Sequence, residues 1–457
     1  MPSSVLIGKI DNPIHFAVHQ KRKNHVMFDG PIPGSCRAHR ALKFAAASAL
    51  VVSALSACSS SGFSADTPGS SGHDGSKYAA APMTLTAAQQ HAILATAFLT
   101  DSVKASSLSP IVLQGLEEAG RSYTQNQVNV AWACQSRSVC KIGNGSQTLA
   151  ILDGNGANLW REITHATITL TAESYPDIGT VIYEQADSNL QTMQADLQTL
   201  IARHVTGILV NDDFGAAMTA SFEQAKAQGI PIVTFANTPG PSAVNAVVSQ
   251  VATNFCTDGI GMAKATRELL GNSGNVAFFT GTPGNPQGTG WEACAQAWFE
   301  KNAPGIQVVD RSNTNWTEAG TVSATSALIA TGKTVNAVLY DYAEPTVNIV
   351  QTYQRAHLKV PDQVTWTSDN QLLQIWQQDQ KSSDPWKLAY SSSINFEGAI
   401  ALAALMDSLA GQHVPGTLYF PLPFVAAQQG DYIPGQPATA PGPTLMPAAL
   451  LNHLLGG

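Results

Sequence analysis

From Gln147 onward the chain alternates short, unbroken apolar runs with longer stretches of helical spacing. Strands are predicted at 149–152, 180–183, 207–210 and 230–235, with helices over 159–173, 190–204 and 216–228 between them. Apolar runs with no polar alternation suit strands buried on both faces, so the pattern predicts a parallel sheet with right-handed helical crossovers. The alternation then repeats. Strands at 275–279, 307–309, 337–340 and 364–366 are separated by helices near 288–301, 317–330 and 344–356, with a further helix at 258–270 ahead of them. A strand at 387–392, a helix at 396–409 and one strand over 417–425 close the pattern. The Pro/Gly-rich stretch 431–457 is expected to be loosely ordered.

Upstream, residues 84–124 read as two amphipathic helices, one opened by Thr84 or Thr86 and the other spanning 110–122. A loop bounded by Cys134 and Cys140 ties this 84–146 extension to the alternating body. Residues 59–83 are mostly Ser, Gly, Ala and Pro, a composition that cannot build a core and serves as a flexible tether. Before the tether come Arg37, Arg40 and Lys43, then a twelve-residue apolar run over 44–55, then Cys58. A spanning helix needs about 20 residues, so this run is too short for a permanent anchor. The order of basic, apolar and small residues followed by cysteine resembles a bacterial lipoprotein signal. That resemblance makes 1–58 the signal, with Met27 an alternative start, and Cys58 the lipidated first residue of a mature protein held at a membrane in the periplasm or on the cell surface. The competing reading is an ordinary signal peptide that ends near a cysteine.

The chain has 457 residues, with 24 Lys and Arg against 32 Asp and Glu. A net charge of −8 and no basic patch beyond the signal exclude nucleic acid as a partner. The roughly 400 residues after the signal exceed what one hydrophobic core serves, so two lobes are expected. Four cysteines remain after Cys36 and Cys58 are set aside, and in an exported protein they are expected to pair as Cys134–Cys140 and Cys256–Cys294, the alternative being buried thiols. No Cys-x-x-Cys or His-x-x-x-His spacing follows the signal, so no metal and no cofactor are expected. Gly154 and Gly156 follow a strand, but Leu159 occupies the third glycine position of a dinucleotide loop, and no Gly-x-Ser-x-Gly elbow is present. No catalytic residue is assigned, and the protein is not expected to be an enzyme.

Across 147–428 the chain is similar to the type 1 periplasmic sugar-binding proteins, ribose-binding-like receptors that feed ABC transporters. The resemblance is carried by the helix, strand and polar loop ending in Asn211, Asp212 and Asp213, by Gly229–Val233, by 258–263, and by Gly290, Trp291, Asp341, Ser368 and Asp369. Repressor relatives carry a DNA-binding motif where this chain has its export signal. The resemblance implies an α/β fold of two Rossmann-like lobes with parallel sheets joined by a three-strand hinge, plus the N-terminal helical extension. Lobe 1 would take 147–251 and 393–412, and lobe 2 would take 252–392 and 413–430. The crossings would fall near 247–254, 391–394 and 418–421.

The ligand of such a fold lies in the interlobe cleft, at the carboxyl ends of the strands. Carried over by motif, the contacts are Asn158 and Trp160 after the first strand, Asn211 and Asp212 after the third, and Asn237 where the family has Asp-Arg. In lobe 2 they are Gln287 in place of an arginine, Asp341 with Tyr342 as an aromatic wall, Asp369, and Ser392 where relatives have Gln. With no Arg or Lys evident in the cleft loops, the implied ligand is a neutral sugar or polyol. The implied partners are an ABC permease and, through the lipid anchor, the membrane, with the receptor a monomer. A sensor for a membrane signalling protein and a secreted enzyme on the same fold are the alternatives.

Overall fold

A computed structural model describes residues 75–456 except 157 and 238; the signal, Cys58 and most of the tether lie outside the described residues. Three helices come first: α1 (Ala87–Phe98), α2 (Pro110–Ala119) and α3 (Gln125–Cys134). The extension thus holds one helix more than its sequence pattern suggests. Thr86 with Gln89, and Thr124 with Gln127, form capping boxes on α1 and α3, while Ser109 caps α2 with Pro110 in its first turn. Next come a short strand, β1 (Val139–Lys141), then β2 (Gln147–Asp153), α4 (Leu159–Ala172), β3 (Ile178–Gln185), α5 (Leu190–Ala202) and β4 (Gly207–Asn211). The lobe continues with α6 (Thr219–Ala227), β5 (Ile232–Phe235) and β6 (Ser249–Ala252).

The second lobe runs α7 (Phe255–Leu270), β7 (Ser273–Thr280), α8 (Pro286–Asn302), β8 (Gly305–Asn313), α9 (Glu318–Ala330) and β9 (Ala337–Tyr340). It is completed by α10 (Thr346–Arg355), β10 (Asp362–Thr365), α11 (Asn370–Asp379) and β11 (Leu388–Tyr390). The chain then returns through α12 (Glu397–Leu409), β12 (Thr417–Tyr419), β13 (Val425–Ala426) and α13 (Ala448–Leu455).

The first sheet has the order β1-β3-β2-β4-β5-β6-β12 and the second β13-β11-β10-β9-β7-β8. Among the described residues only the edge strands β1 and β13 run antiparallel to their neighbours. The single strand expected over 417–425 is therefore two. β12 pairs in parallel with β6 in the first sheet, and β13 joins β11 in the second, so 417–419 belong to lobe 1 and the crossing spans 420–424. Each sheet is covered on both faces by separate apolar clusters, the arrangement that unbroken apolar strands require. Both disulfides form: Cys134–Cys140 joins α3 to β1, and Cys256–Cys294 joins α7 to α8.

Helix α12 explains the extension. Its residues 397–406 are all buried, and an all-round apolar helix needs cover on every side. Sheet 1 covers one side, α4 another, and α2 the face left over. Gly115 of α2 lies so close to α12 that a Cβ there would overlap the Ile400 backbone.

The C-terminal stretch is not loose. Asn370 of lobe 2 donates its backbone N–H to Ala440 O at 2.8 Å, and its side chain reaches the carbonyls of Ile433, Gln436 and Pro437. Gly442 N–H donates to Ser368 Oγ at 2.9 Å. The same chain is anchored on lobe 1, where Ala440 and then Met446, Leu450 and Leu451 pack with Val128, Ile163 and Leu170. Backbone bonding and three large apolar side chains override the Pro/Gly composition. Among the described residues no helix is long and apolar enough to cross a membrane.

Candidate functional site

The carboxyl ends of both sheets face one cleft with about 630 Å³ of empty space. From lobe 1 the loops after β2, β4 and β5 present Asn158, Trp160, Asn211 and Asn237. Asn158 also caps α4, its Oδ1 accepting the Arg161 N–H at 3.1 Å. Lobe 2 presents Gln287 from the first turn of α8, and Asp341 and Tyr342 after β9. Ser392 comes from the hinge. These eight expected positions share one cavity wall.

Asp212 and Asp369 do not join them. Asp212 is fully buried and turns its carboxylate back onto the Phe214 N–H at 2.9 Å, a local turn that aims it away from the cleft. Asp369 is the N-cap of α11, accepting the Leu372 N–H at 2.8 Å, and borders a separate small pocket under the C-terminal stretch.

The cavity also contains groups that sequence reasoning missed. Trp316, Trp366 and Phe255 join Trp160 and Tyr342, so five aromatic side chains line it. Trp366 closes a predicted strand and Trp316 immediately precedes a predicted helix, positions where core packing is the ordinary expectation. Arg161 corrects the expectation that the cleft loops hold no cation. It is 4% exposed, sits in the first turn of α4, and forks onto Asp153 and, at 2.8 Å, Asp213. Burial works against its charge, but the two carboxylates more than restore it. Asn237 extends this network, donating to Asp213 at 2.8 Å and to Asn211 at 3.4 Å. The signal for Arg161 was three acidic residues at strand ends with no counter-charge in their own loops.

Asp341 is held from three sides. Thr280 Oγ1 donates to it at 2.5 Å, Trp291 Nε1 at 2.9 Å and Trp316 Nε1 at 2.8 Å. Burial raises its carboxyl above the ordinary range, and these donors offset part of that. Trp291, expected on the cleft helix, is fully buried as one of the supports. Several polar atoms on the wall, by contrast, make no well-formed hydrogen bond: Asn211 Nδ2, Asn237 Oδ1, Trp366 Nε1, Ser392 Oγ and both oxygens of Glu397. Buried polar groups are nearly always bonded, so a cluster of donors and acceptors lacking partners around one cavity marks where a polar ligand fits. Four cavity residues, Ala236, Trp316, Thr367 and Ile394, also adopt positive φ without being glycine. Such backbone strain persists where surrounding structure fixes a site. Among the described residues no His, Cys, Asp and Glu group is arranged to hold a metal.

Two α/β lobes, three crossings and a cleft at the strand ends define a two-lobed ligand-binding receptor. Residues 150–413 match the family model of the periplasmic binding protein domain, and the chain belongs to that family. Similar solved structures are ABC transporter solute-binding proteins. One from Actinobacillus succinogenes 130z with bound D-allose is 19% identical, covering 63% of this chain and 99% of its own, at TM-score 0.55. One from Bacillus halodurans C-125 with bound myo-inositol is 17% identical, covering 62% and 95%, at 0.54. One from Mycobacterium smegmatis with bound glycerol is 16% identical, covering 65% and 99%, at 0.56. No curated protein matches the chain in sequence.

Proposed function

We propose that this protein captures a small polyhydroxylated ligand, a sugar or polyol, between its lobes, releases it unchanged to an ABC permease, and is held at the membrane by a lipid on Cys58. The observation that carries the reading is the set of buried, partnerless donors and acceptors on a wall of aromatic faces. Ligand hydroxyls both donate and accept, so they complement Asn211 Nδ2, Asn237 Oδ1 and Ser392 Oγ together. The C–H faces of a sugar ring lie well against indoles such as Trp160 and Trp316, which add apolar contact while their own N–H groups are engaged elsewhere, Trp160 on Ser393 O at 2.6 Å and Trp316 on Asp341. Solved relatives of the same fold hold D-allose, myo-inositol and glycerol, which supports this ligand class. A thermal-shift screen of purified protein over sugars and polyols, followed by calorimetry, tests it. A raised melting midpoint with at least one sugar or polyol and no chemical change in the ligand is expected. Turnover of the compound, or shifts with amino acids or organic acids alone, overturns the reading.

A further inference from the structure

The acidic groups on the cavity wall outnumber its cation. Arg161 is the cation among the described lining residues, and Asp153 and Asp213 take its two terminal nitrogens. Asp341 and Glu397 remain on the wall as acidic groups that form no ion pair among the described residues. Asp341 is supplied by a hydroxyl and two indole N–H donors. Glu397, at the start of α12, is 0% exposed, and neither oxygen has a well-formed hydrogen bond. The groups that act on it are the Ala236 backbone after β5 and Arg161 of α4, which favour its charged form, and Asp258 of α7, which disfavours it. Burial outweighs them all and pushes its carboxyl well above the ordinary range.

A hydroxyl brings one donor and no charge to such a group, whereas an ammonium brings three donors and a positive charge that would favour the ionised carboxylate on binding. Trp160, Trp316, Trp366, Tyr342 and Phe255 surround the same space, and aromatic faces attract a desolvated cation. We propose that the ligand carries a basic nitrogen, as an amino sugar or amino polyol does, and that Glu397 is the specificity-determining residue that receives its ammonium. This rests on the sugar or polyol reading above. The hydroxyls of that ligand would occupy Asn211, Asn237 and Ser392 on the lobe 1 and hinge side.

The test is calorimetry on the full-length chain in mild detergent with matched sets: glucosamine, glucose and N-acetylglucosamine, the corresponding galactose set, and serinol against glycerol. At least one amine should bind about tenfold or more tighter than its hydroxyl parent and its acetylated form, a gap in the range of one buried charge contact. Glu397→Gln should close that gap by weakening the amine far more than the parent, so that the two affinities come within about threefold of each other. Should Glu397→Gln not fold, a second measurement uses the unaltered protein. Below the amine's own titration range, its binding should draw a proton off the carboxyl that burial pushes up, read from heats in buffers of different ionisation enthalpy, and binding of the parent should release none. Parents that bind as tightly as their amines, a preference that survives Glu397→Gln, or amine binding without proton release overturns the proposal and leaves the sugar reading standing. Binding by none of the sugars or polyols, aminated or not, overturns both.

Discussion

The indole N–H of Trp316 donates to Oδ1 of Asp341 at 2.8 Å, so the carboxylate expected to touch the ligand also holds one of the ligand's walls. Its other oxygen takes Trp291 and Thr280. Asp341→Asn replaces one acceptor oxygen by a donor that faces an indole N–H. The variant should lose about 1–3 kcal/mol of stability, the cost of a disrupted buried network, and at least about tenfold in ligand affinity. A red shift of tryptophan emission should accompany both. Unchanged emission and affinity in a folded variant would show that Trp316 keeps its posture without the carboxylate.

Gly281 sets the same wall from behind. A Cβ on this residue would fall inside the Trp316 ring system, and rings do not compress. Gly281→Ala should tilt Trp316 into the cavity and reduce affinity by about tenfold or more, at a stability cost of about 1–3 kcal/mol typical of overpacking. Calorimetry beside a thermal melt separates the two effects. Affinity within a factor of about two of the unaltered protein would place Trp316 outside the ligand's reach.

Asp369 should behave in the opposite way. As the N-cap of α11 it contributes about 1 kcal/mol through the Leu372 N–H, and it lies outside the main cavity. Asp369→Ala should lower the melting midpoint, Asp369→Asn should restore most of it, and neither should change affinity directly. Loss of affinity without loss of stability would return Asp369 to the ligand site.

The contrast between Asp341 and Asp369 shows what the residue pattern makes legible. Both sit just past a strand end, and topology brings strand ends to the cleft, where the family resemblance also placed Asn158, Asn211, Asn237 and Tyr342. Whether a carboxylate then faces the cleft or caps the next helix depends on one loop's dihedrals, which a single sequence does not display. Trp316 and Trp366 were missed because an aromatic residue beside an apolar run has the same pattern in a core and on a wall. Glu397 and Arg161 were missed because each looks like a lone polar residue in a helix until its distant partners are known. The folded C-terminal stretch was illegible for a related reason, since Asn370, which binds it, lies more than sixty residues away.

Buried acids make stability depend on pH. Burial pushes Glu118 from 4.5 up to about 7 and Asp212 from 3.8 up to about 7. For both, the folded state binds the proton more tightly, so their contribution is complete below the unfolded value and fades as pH rises through about 7. His165 works the other way. It is buried neutral with its ring pushed down to about 3, so stability falls as pH drops below 6.5 and the unfolded chain alone takes up a proton. With more carboxyls than imidazoles involved, the melting midpoint should rise on going from about pH 8 to about pH 5.5. Glu118→Gln, which keeps an acceptor for Tyr175, should stabilise the protein at pH 8 by about 1–3 kcal/mol and change little at pH 5. Destabilisation at pH 8 would mean that the Tyr175 and Gln114 hydrogen bonds outweigh desolvation.

The C-terminal stretch adds a fourth connection between lobes that otherwise share three. Gly442 is bonded to Ser368 in lobe 2 and Met446 is buried in lobe 1, with Pro443, Thr444 and Leu445 between them. Four residue steps span at most about 14 Å when fully extended, so this side of the cleft cannot part further without breaking one anchor. Leu99 at the end of α1 also packs against the second lobe's cluster, on the same molecule-spanning arrangement. Ala440 also lies in the lobe 1 cluster, so the test combines Ala440→Gly, which removes that contact, with a six-residue Gly/Ser segment inserted between Pro443 and Thr444, which keeps the Ser368 and Met446 anchors and lengthens the link between them. The ligand-free protein should then show a larger radius of gyration in small-angle scattering, while the ligand-bound form should not. Affinity should fall by about two- to tenfold, because a smaller fraction of the free protein is poised to close. If the radius is unchanged by the insertion, the three hinge crossings alone set the opening, and the anchors on Ser368 and Leu450 serve stability only.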